Sequence, residues 1–391
     1  MRRSRVLVLG LAFLTVAGCA SIPAGPAPAP RPVVSAWPME GGDPGRSSRS
    51  SLAVPSPWEV HRVSPLIERP GYAPEEYATP IPLGPLAYVG HAGRELAAVN
   101  WRDGGIAWRF PMRGRVFGSP ALADNLLFAA DDQGDLVAVS LGGKEVWRFH
   151  VSYPIVTGPL VAQGRVFVGV GDQNVFCLEA ATGRPLWQYG RKFPRRTSLW
   201  RAPGLAWGDG RVYAGFADGT VAALDGELGK VLWKVELAKD GLFSDVCAGP
   251  SFRDGKVYAG VLKGPVVCLD AASGAQVWQQ AVEAVSGFGV GDDLLYLGSP
   301  SGAVLALRRS DGTKVWEAAL DGGISTVPAV AGDRVLAGAS EGSLFDLDAL
   351  TGAEKARFAP GSGVSAQPAV FEQGVLLLSN GGVLYWLRET H

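Results

Sequence analysis

Little in this 391-residue chain can carry redox, thiol or metal chemistry: it has four cysteines, four histidines and three methionines. No two cysteines are adjacent, which excludes a vicinal thiol pair. His61, His91, His150 and His391 are dispersed, and none stands at metal-ligand spacing from a cysteine or a second histidine. There is no phosphate-binding G-x-x-x-x-G-K-[ST] loop. An excess of one charge is missing too, since 36 Lys and Arg face 37 Asp and Glu, so the chain lacks the basic face that nucleic acid requires. The longest uncharged apolar run, Val6 to Val16, is shorter than the roughly 20 residues of a spanning helix. Beyond it no segment carries strong helical periodicity.

That run is nonetheless informative. Arg2, Arg3 and Arg5 precede it and Val16-Ala17-Gly18-Cys19 ends it, the arrangement of a secretory signal closed by small residues before a cysteine. The ending resembles a bacterial lipobox, which implies cleavage after residue 18 and acylation of Cys19. Acyl chains hold a protein to a membrane through about 0.8 kcal/mol per buried methylene. Ala20, where an inner-membrane retention signal would place aspartate, points to the outer membrane. Residues 19–36 then read as the lipidated cysteine and a Pro/Ala-rich tether, and 37–391 as the folded domain. Loss of the signal leaves 33 basic against 37 acidic residues. Of the remaining cysteines, Cys177 and Cys268 occupy repeat positions where other copies carry Ala138, Ala223 and Ala306, so they read as small buried apolar residues. An odd set of three with Cys247 leaves at least one thiol free unless it pairs with another chain.

The abundant residues are 53 glycines and 12 tryptophans, and they are periodic. The clearest copies read GRVYAGFADGTVAALDGELGKVLW, ending at Trp233, and GKVYAGVLKGPVVCLDAASGAQVW, ending at Trp278. Equivalent tryptophans are Trp108, Trp147, Trp187 and Trp316. Within each period, short runs of Val, Leu, Tyr and Phe alternate with Gly-containing turns, which predicts four strands per unit of about 40 residues, the pattern of a propeller blade. A seventh unit, 324–358, has Ala356 at the Trp position, and an eighth, 364–388, has three strands before the chain ends. The segment Pro57-Trp58-Glu59-Val60-His61-Arg62-Val63 is expected to supply the missing strand and close the ring. An all-β, eight-bladed propeller is the expected fold, with seven blades as the alternative count. The repeated tryptophans are read as packing between blades.

The A-x-D-x-x-x-G-x-x-x-W pattern, as in Ala223, Asp225, Gly229 and Trp233, resembles the tryptophan-docking repeat of the PQQ-like propellers. The opening Trp37-Pro38-Met39-Glu40-Gly41-Gly42-Asp43-Pro44 is similar to the start of many members. A lipoprotein of this length with one such propeller resembles the BamB family of outer-membrane barrel-assembly lipoproteins. That resemblance implies a periplasm-facing, non-catalytic scaffold in a larger complex, bound to the POTRA domains of the barrel-assembly protein.

Repeat length locates a candidate contact. The two longest tryptophan spacings arise from Gly190 to Trp200 and Ala238 to Ser244, connections that leave an outer strand for the next inner strand and so emerge on one face. Arg195, Arg196, Leu199, Trp200, Arg201, Phe243 and Asp245 are the expected partner-binding residues, a mix of arginine, aromatic and apolar side chains suited to an interface centre. The resemblance places a Leu/Arg loop before an Ala-Pro, and an S-D-V-D loop in the next blade, at the POTRA contact. Ser198 to Pro203 and Ser244-Asp245-Val246-Cys247 correspond to them, with Cys247 in place of the second aspartate.

Two other classes stay open. Related propellers are quinoprotein dehydrogenases holding PQQ and Ca²⁺, but here acidic residues such as Asp131, Asp132, Asp218 and Asp311 fall in turns and make no calcium cage. A small ligand in the central channel is the other. The Gly-rich string Ser286 to Gly291 joins strands and reads as turn chemistry. No catalytic residue, cofactor or metal site is expected.

Overall fold

In the computed structural model the described residues are 35–54, 57–67, 74–171, 173–190, 204–238, 245–262, 264–283 and 286–389. Cys19 and the expected signal lie outside them. The described residues contain no helix and form eight sheets. In chain order the blades span 81–111, 121–150, 160–189, 204–236, 246–280, 288–319, 329–358 and 369–389. The eighth has three strands of its own, and its outer strand is β2 (Trp58–Pro65), antiparallel to Val383–Glu389 with Arg62 opposite Trp386. The eight-blade count and the closing N-terminal strand are therefore as the repeats predicted.

Burial follows strand position. Second strands such as Arg165–Val170 are covered on both sides by neighbouring blades and read as near-continuous apolar runs, whereas outer strands such as Val231–Glu236 are mostly exposed or half-buried. Six seams between blades repeat one device. Each outer-strand tryptophan stands opposite a small third-strand residue, Trp233 against Ala223 and Trp278 against Cys268. Its indole then crosses to the next blade. The Nε1 groups of Trp108, Trp147, Trp187, Trp233, Trp278 and Trp316 donate to the carbonyls of Leu141, Ala180, Gly226, Ala271, Arg309 and Ala349 at 2.8–3.2 Å. The ring covers a glycine of that turn: a Cβ on Gly352 would lie 2.6 Å from the Trp316 ring, and Gly352 has φ +73°. Glycine is thus required there twice, by space and by the left-handed backbone.

The two remaining seams break the pattern because the chain ends meet there. Blade 8 has no turn between its third and outer strands, since these come from opposite ends of the chain. A tryptophan at Ala356 would have no receiving glycine, so its loss in blade 7 follows from the closure. Val54, on the segment leading to β2, is buried in a cluster with Ala331 and Leu336 of blade 7 and Val375 of blade 8. At the seam from blade 8 to blade 1, Arg62 replaces the docking tryptophan, its Cδ 3.5 Å from where a Gly104 Cβ would be. Trp386 and Trp101 fill the space edge to face, 4.4 Å between centroids.

A second N-terminal element is an axle. Residues 35–50 run inside the ring of innermost strands and touch every blade. Backbone N–H groups of Leu122, Trp207, Phe252, Val290 and Val330, one each from blades 2, 4, 5, 6 and 7, donate to the carbonyls of Pro38, Pro44, Gly45, Ser47 and Ser48, all at 2.7 Å. Ser35 Oγ donates to Pro82 O of blade 1, and the Gly41 N–H donates to Gln367 Oε1 beside blade 8. Arg46, 9% exposed, donates to Gly158 O and Pro159 O at the start of blade 3 and to Leu205 O of blade 4. The axle ends in β1 (Arg49–Ser50), parallel to Ala329–Ala331. Inner strands would otherwise leave free donors along the channel. Gly41 and Gly42 take positive φ, and a Cβ on Gly45 would lie 2.5 Å from Phe252 O, which explains the glycines of the opening motif.

Candidate partner-binding face

Antiparallel order gives the propeller two different faces. Turns between first and second strands, and between third and outer strands, share one. The other carries the turns between second and third strands and the longer connections from an outer strand to the next inner strand. The predicted contact belongs to this second face.

Arg195, Arg196, Leu199, Trp200 and Arg201 fall between Gly190 and Gly204, and Phe243 between Ala238 and Asp245; these six lie outside the described residues. Asp245 is described and is 2% exposed, with its carbonyl accepting from Leu262 N–H at 2.9 Å. It sits at the foot of its loop and not on the surface. Cys247 is half-buried, its Sγ 3.8 Å from Gly260 O, and burial pushes its thiol up to about 12. Burial also raises the thiols of Cys177 and Cys268, to about 12 and about 11, and both are fully covered beside their tryptophans. Burial thus favours the thiol form of all three near neutral pH.

The described part of this face adds residues that periodicity did not reveal. Tyr77, Tyr153 and Ile324 are 46%, 52% and 51% exposed, and Phe117 lies 6.2 Å from Tyr77 between ring centroids. On blade 2, buried Asp135 accepts from Arg148 at 2.5 Å, pairs with Arg113 at 3.3 Å and meets His150 Nδ1 at 2.8 Å. It orients two arginines and a histidine at one rim. The only sequence signal was arginine or histidine in each flanking segment, since the pairing spans neighbouring strands and loops.

The turn aspartates do what turn aspartates do. Asp131 Oδ1 accepts from the N–H groups of Gln133 and Asp135, Asp218 from Thr220, and Asp311 from Thr313. Gly338-Ala339-Ser340-Glu341-Gly342 has the spacing of a nucleophile elbow, yet it forms a hairpin turn in blade 7 where Ser340 Oγ accepts from Ile324 N–H at 2.9 Å. Ser286 of the Gly-rich string donates to Thr326 O, just before an inner strand. Among the described residues no three His, Cys, Asp or Glu side chains are grouped to hold a metal ion.

Comparison with known proteins gives concordant results. A protein-family profile described as "Outer membrane protein assembly factor BamB" matches residues 92–316 and 262–387. The curated relative of that name from Burkholderia pseudomallei is 26% identical over 111 residues, 28% of this chain and 29% of the relative, so the match spans under a third of either. Among solved structures, BamB from Moraxella catarrhalis superposes with a TM-score of 0.72 at 20% identity, covering 85% of this chain and all of that one. The quinohemoprotein alcohol dehydrogenase of Comamonas testosteroni gives 0.77 at 15% identity, covering 91% and 81%. Likeness at such identity is likeness of fold.

Proposed function

The chain belongs to the outer membrane protein assembly factor BamB family, and on that premise we propose that it is a non-catalytic scaffold in the assembly of outer-membrane β-barrel proteins. It is held to the outer membrane through lipidated Cys19, faces the periplasm, and binds the barrel-assembly protein through that protein's POTRA domains. The family match over residues 92–387 carries this reading. The contact is the face with the two long connections, through Arg195, Arg196, Leu199, Trp200, Arg201 and Phe243. Asp245, being buried, serves that contact by holding the base of its loop.

The quinoprotein reading draws on the fold of its neighbours, and the described residues give it no support. The described residues offer no grouped ligands for a cation, and inner strands of five blades each spend a channel-side donor on the axle. Arg46 and Glu40 pair there at 3.2 Å, Arg46 donating to the Gly158 carbonyl and the Glu40 carboxylate accepting from the Gly158 N–H. The purified chain, incubated with PQQ and Ca²⁺, is expected to bind no stoichiometric quinone and to reduce no dye with alcohols. Dye reduction at one quinone per chain would transfer it to the enzyme class. The scaffold itself is tested by binding: Trp200→Ala with Arg201→Glu is expected to lower affinity for the isolated POTRA domains at least tenfold with an unchanged melting temperature. Equal affinity of variant and parent would remove the proposed contact.

A further inference from the structure

The seam from blade 8 to blade 1 lacks the tryptophan dock and is joined by other means. The Leu66 N–H donates to Gly382 O, and the Gly381 N–H donates to Pro74 O, both at 2.8 Å, tying the chain after β2 to the turn of blade 8. Glu76 completes the junction from both ends. Its backbone N–H donates to Asn380 Oδ1 of blade 8 at 2.9 Å, and its carboxyl Oε2 accepts from the Ala92 N–H in the corresponding turn of blade 1, also at 2.9 Å. Asn380 is itself fixed, donating to Ser340 O and Ser365 Oγ. One buried residue thus ties the last blade to the first.

Its surroundings are poor in compensating charge. Glu76 is 1% exposed and its Oε1 is buried with no hydrogen-bond partner among the described residues. On its own segment Glu75 accepts a hydrogen bond from Tyr77, and both are exposed. From blade 1 come buried His91, exposed Arg94, and Glu95, which is paired with Arg109 at 2.5 Å. Blade 8 offers the neutral Asn380, and blade 2 offers Ser119, whose Oγ accepts from the Thr79 N–H. Among the described residues an ionised carboxylate here has no counter-ion, whereas the protonated acid keeps the Ala92 bond.

We propose that Glu76 is a pH-sensitive latch on ring closure, holding the first and last blades together while its carboxyl is protonated and loosening the seam when it ionises. Burial raises this carboxyl to about 8, with the Ala92 hydrogen bond a smaller opposing effect. The folded value lies above the ordinary one, so the latch is complete below the unfolded range and is lost as pH rises through about 8. Between the ordinary carboxyl range and about 8 seam opening should grow about tenfold per pH unit, and above that point, with the carboxyl ionised in the open and the closed seam alike, it should level off. This inference is independent of which partner the propeller binds.

Hydrogen exchange with mass spectrometry on the full chain, corrected for intrinsic rates, tests it between about pH 5 and pH 9.5. The latch predicts that protection of residues 74–81 and of β2 falls as pH rises from about 5 to about 8 and levels off above it, while the six tryptophan-docked seams keep theirs. Glu76→Gln should remove that fall, and Glu75→Gln should leave it unchanged. An identical loss between about pH 5 and pH 8 in Glu76→Gln overturns the proposal. Should the glutamine variant not fold, a carbon-detected NMR titration of the unaltered protein decides: one glutamate carboxyl must titrate near pH 8, and titration of every glutamate below pH 6 is a contradiction.

Discussion

At the scale of single residues, a tryptophan and the glycine it covers form one unit divided between two blades. Trp316 is 8% exposed, donates to Ala349 O at 3.0 Å and lies 5.7 Å from Tyr296 between centroids. Trp316→Ala is expected to cost about 3–5 kcal/mol in urea unfolding, since it empties a close-packed seam. Gly352→Ala should cost about 1–3 kcal/mol from positive φ and overlap with the ring. The double variant should cost less than the two together, because removing the indole removes the overlap. Strict additivity would separate glycine from dock. His91 gives a pH signature: burial lowers it to about 4 and, despite Glu95 nearby, holds it neutral. Its folded value lies below the ordinary one. The stability it contributes is therefore present above about pH 6.5 and lost as pH falls toward 4, by about 3 kcal/mol at most. His91→Gln should flatten the acid limb of a melting-temperature profile between pH 6.5 and 4; an unchanged limb would remove His91 from it.

At the scale of elements, the repeats were legible because each blade announces itself locally, in four short apolar runs, glycine turns and a tryptophan. The eighth blade and its N-terminal strand followed from counting, and Ala356 gained its reason only when the missing turn was seen. The axle was not legible. Residues 35–50 have no period, and their partners are backbone groups from sequence positions as distant as Val330, which no local pattern encodes. Only the glycines hinted at a special conformation. Arg46→Met is expected to destabilise the domain by about 2–4 kcal/mol, because it strands several carbonyls that Arg46 satisfies in the channel. A chemical-denaturation midpoint unchanged by Arg46→Met would show that the axle is incidental to ring closure.

For the whole molecule, the sequence separated a rigid ring from the loops that vary on it, and loop length pointed to one face. Spacing showed that Asp245 adjoins a long connection, but not that its carboxylate is covered by the strands beside it. Neither did it disclose Tyr77, Tyr153 and Ile324 on the same face, since Tyr153 and Ile324 belong to connections of ordinary length and Tyr77 to a segment before the first tryptophan repeat. The fold alone would suit a dehydrogenase or a scaffold equally, and the choice rests on family membership and on an axle built from the chain itself. The most direct test is affinity capture of the full-length tagged protein from gently solubilised outer membrane, with mass spectrometry of the proteins retained. The account predicts recovery of the POTRA-bearing barrel-assembly protein, lost from the Trp200→Ala, Arg201→Glu variant. Reproducible capture of a different protein, with no barrel-assembly protein retained, would contradict it.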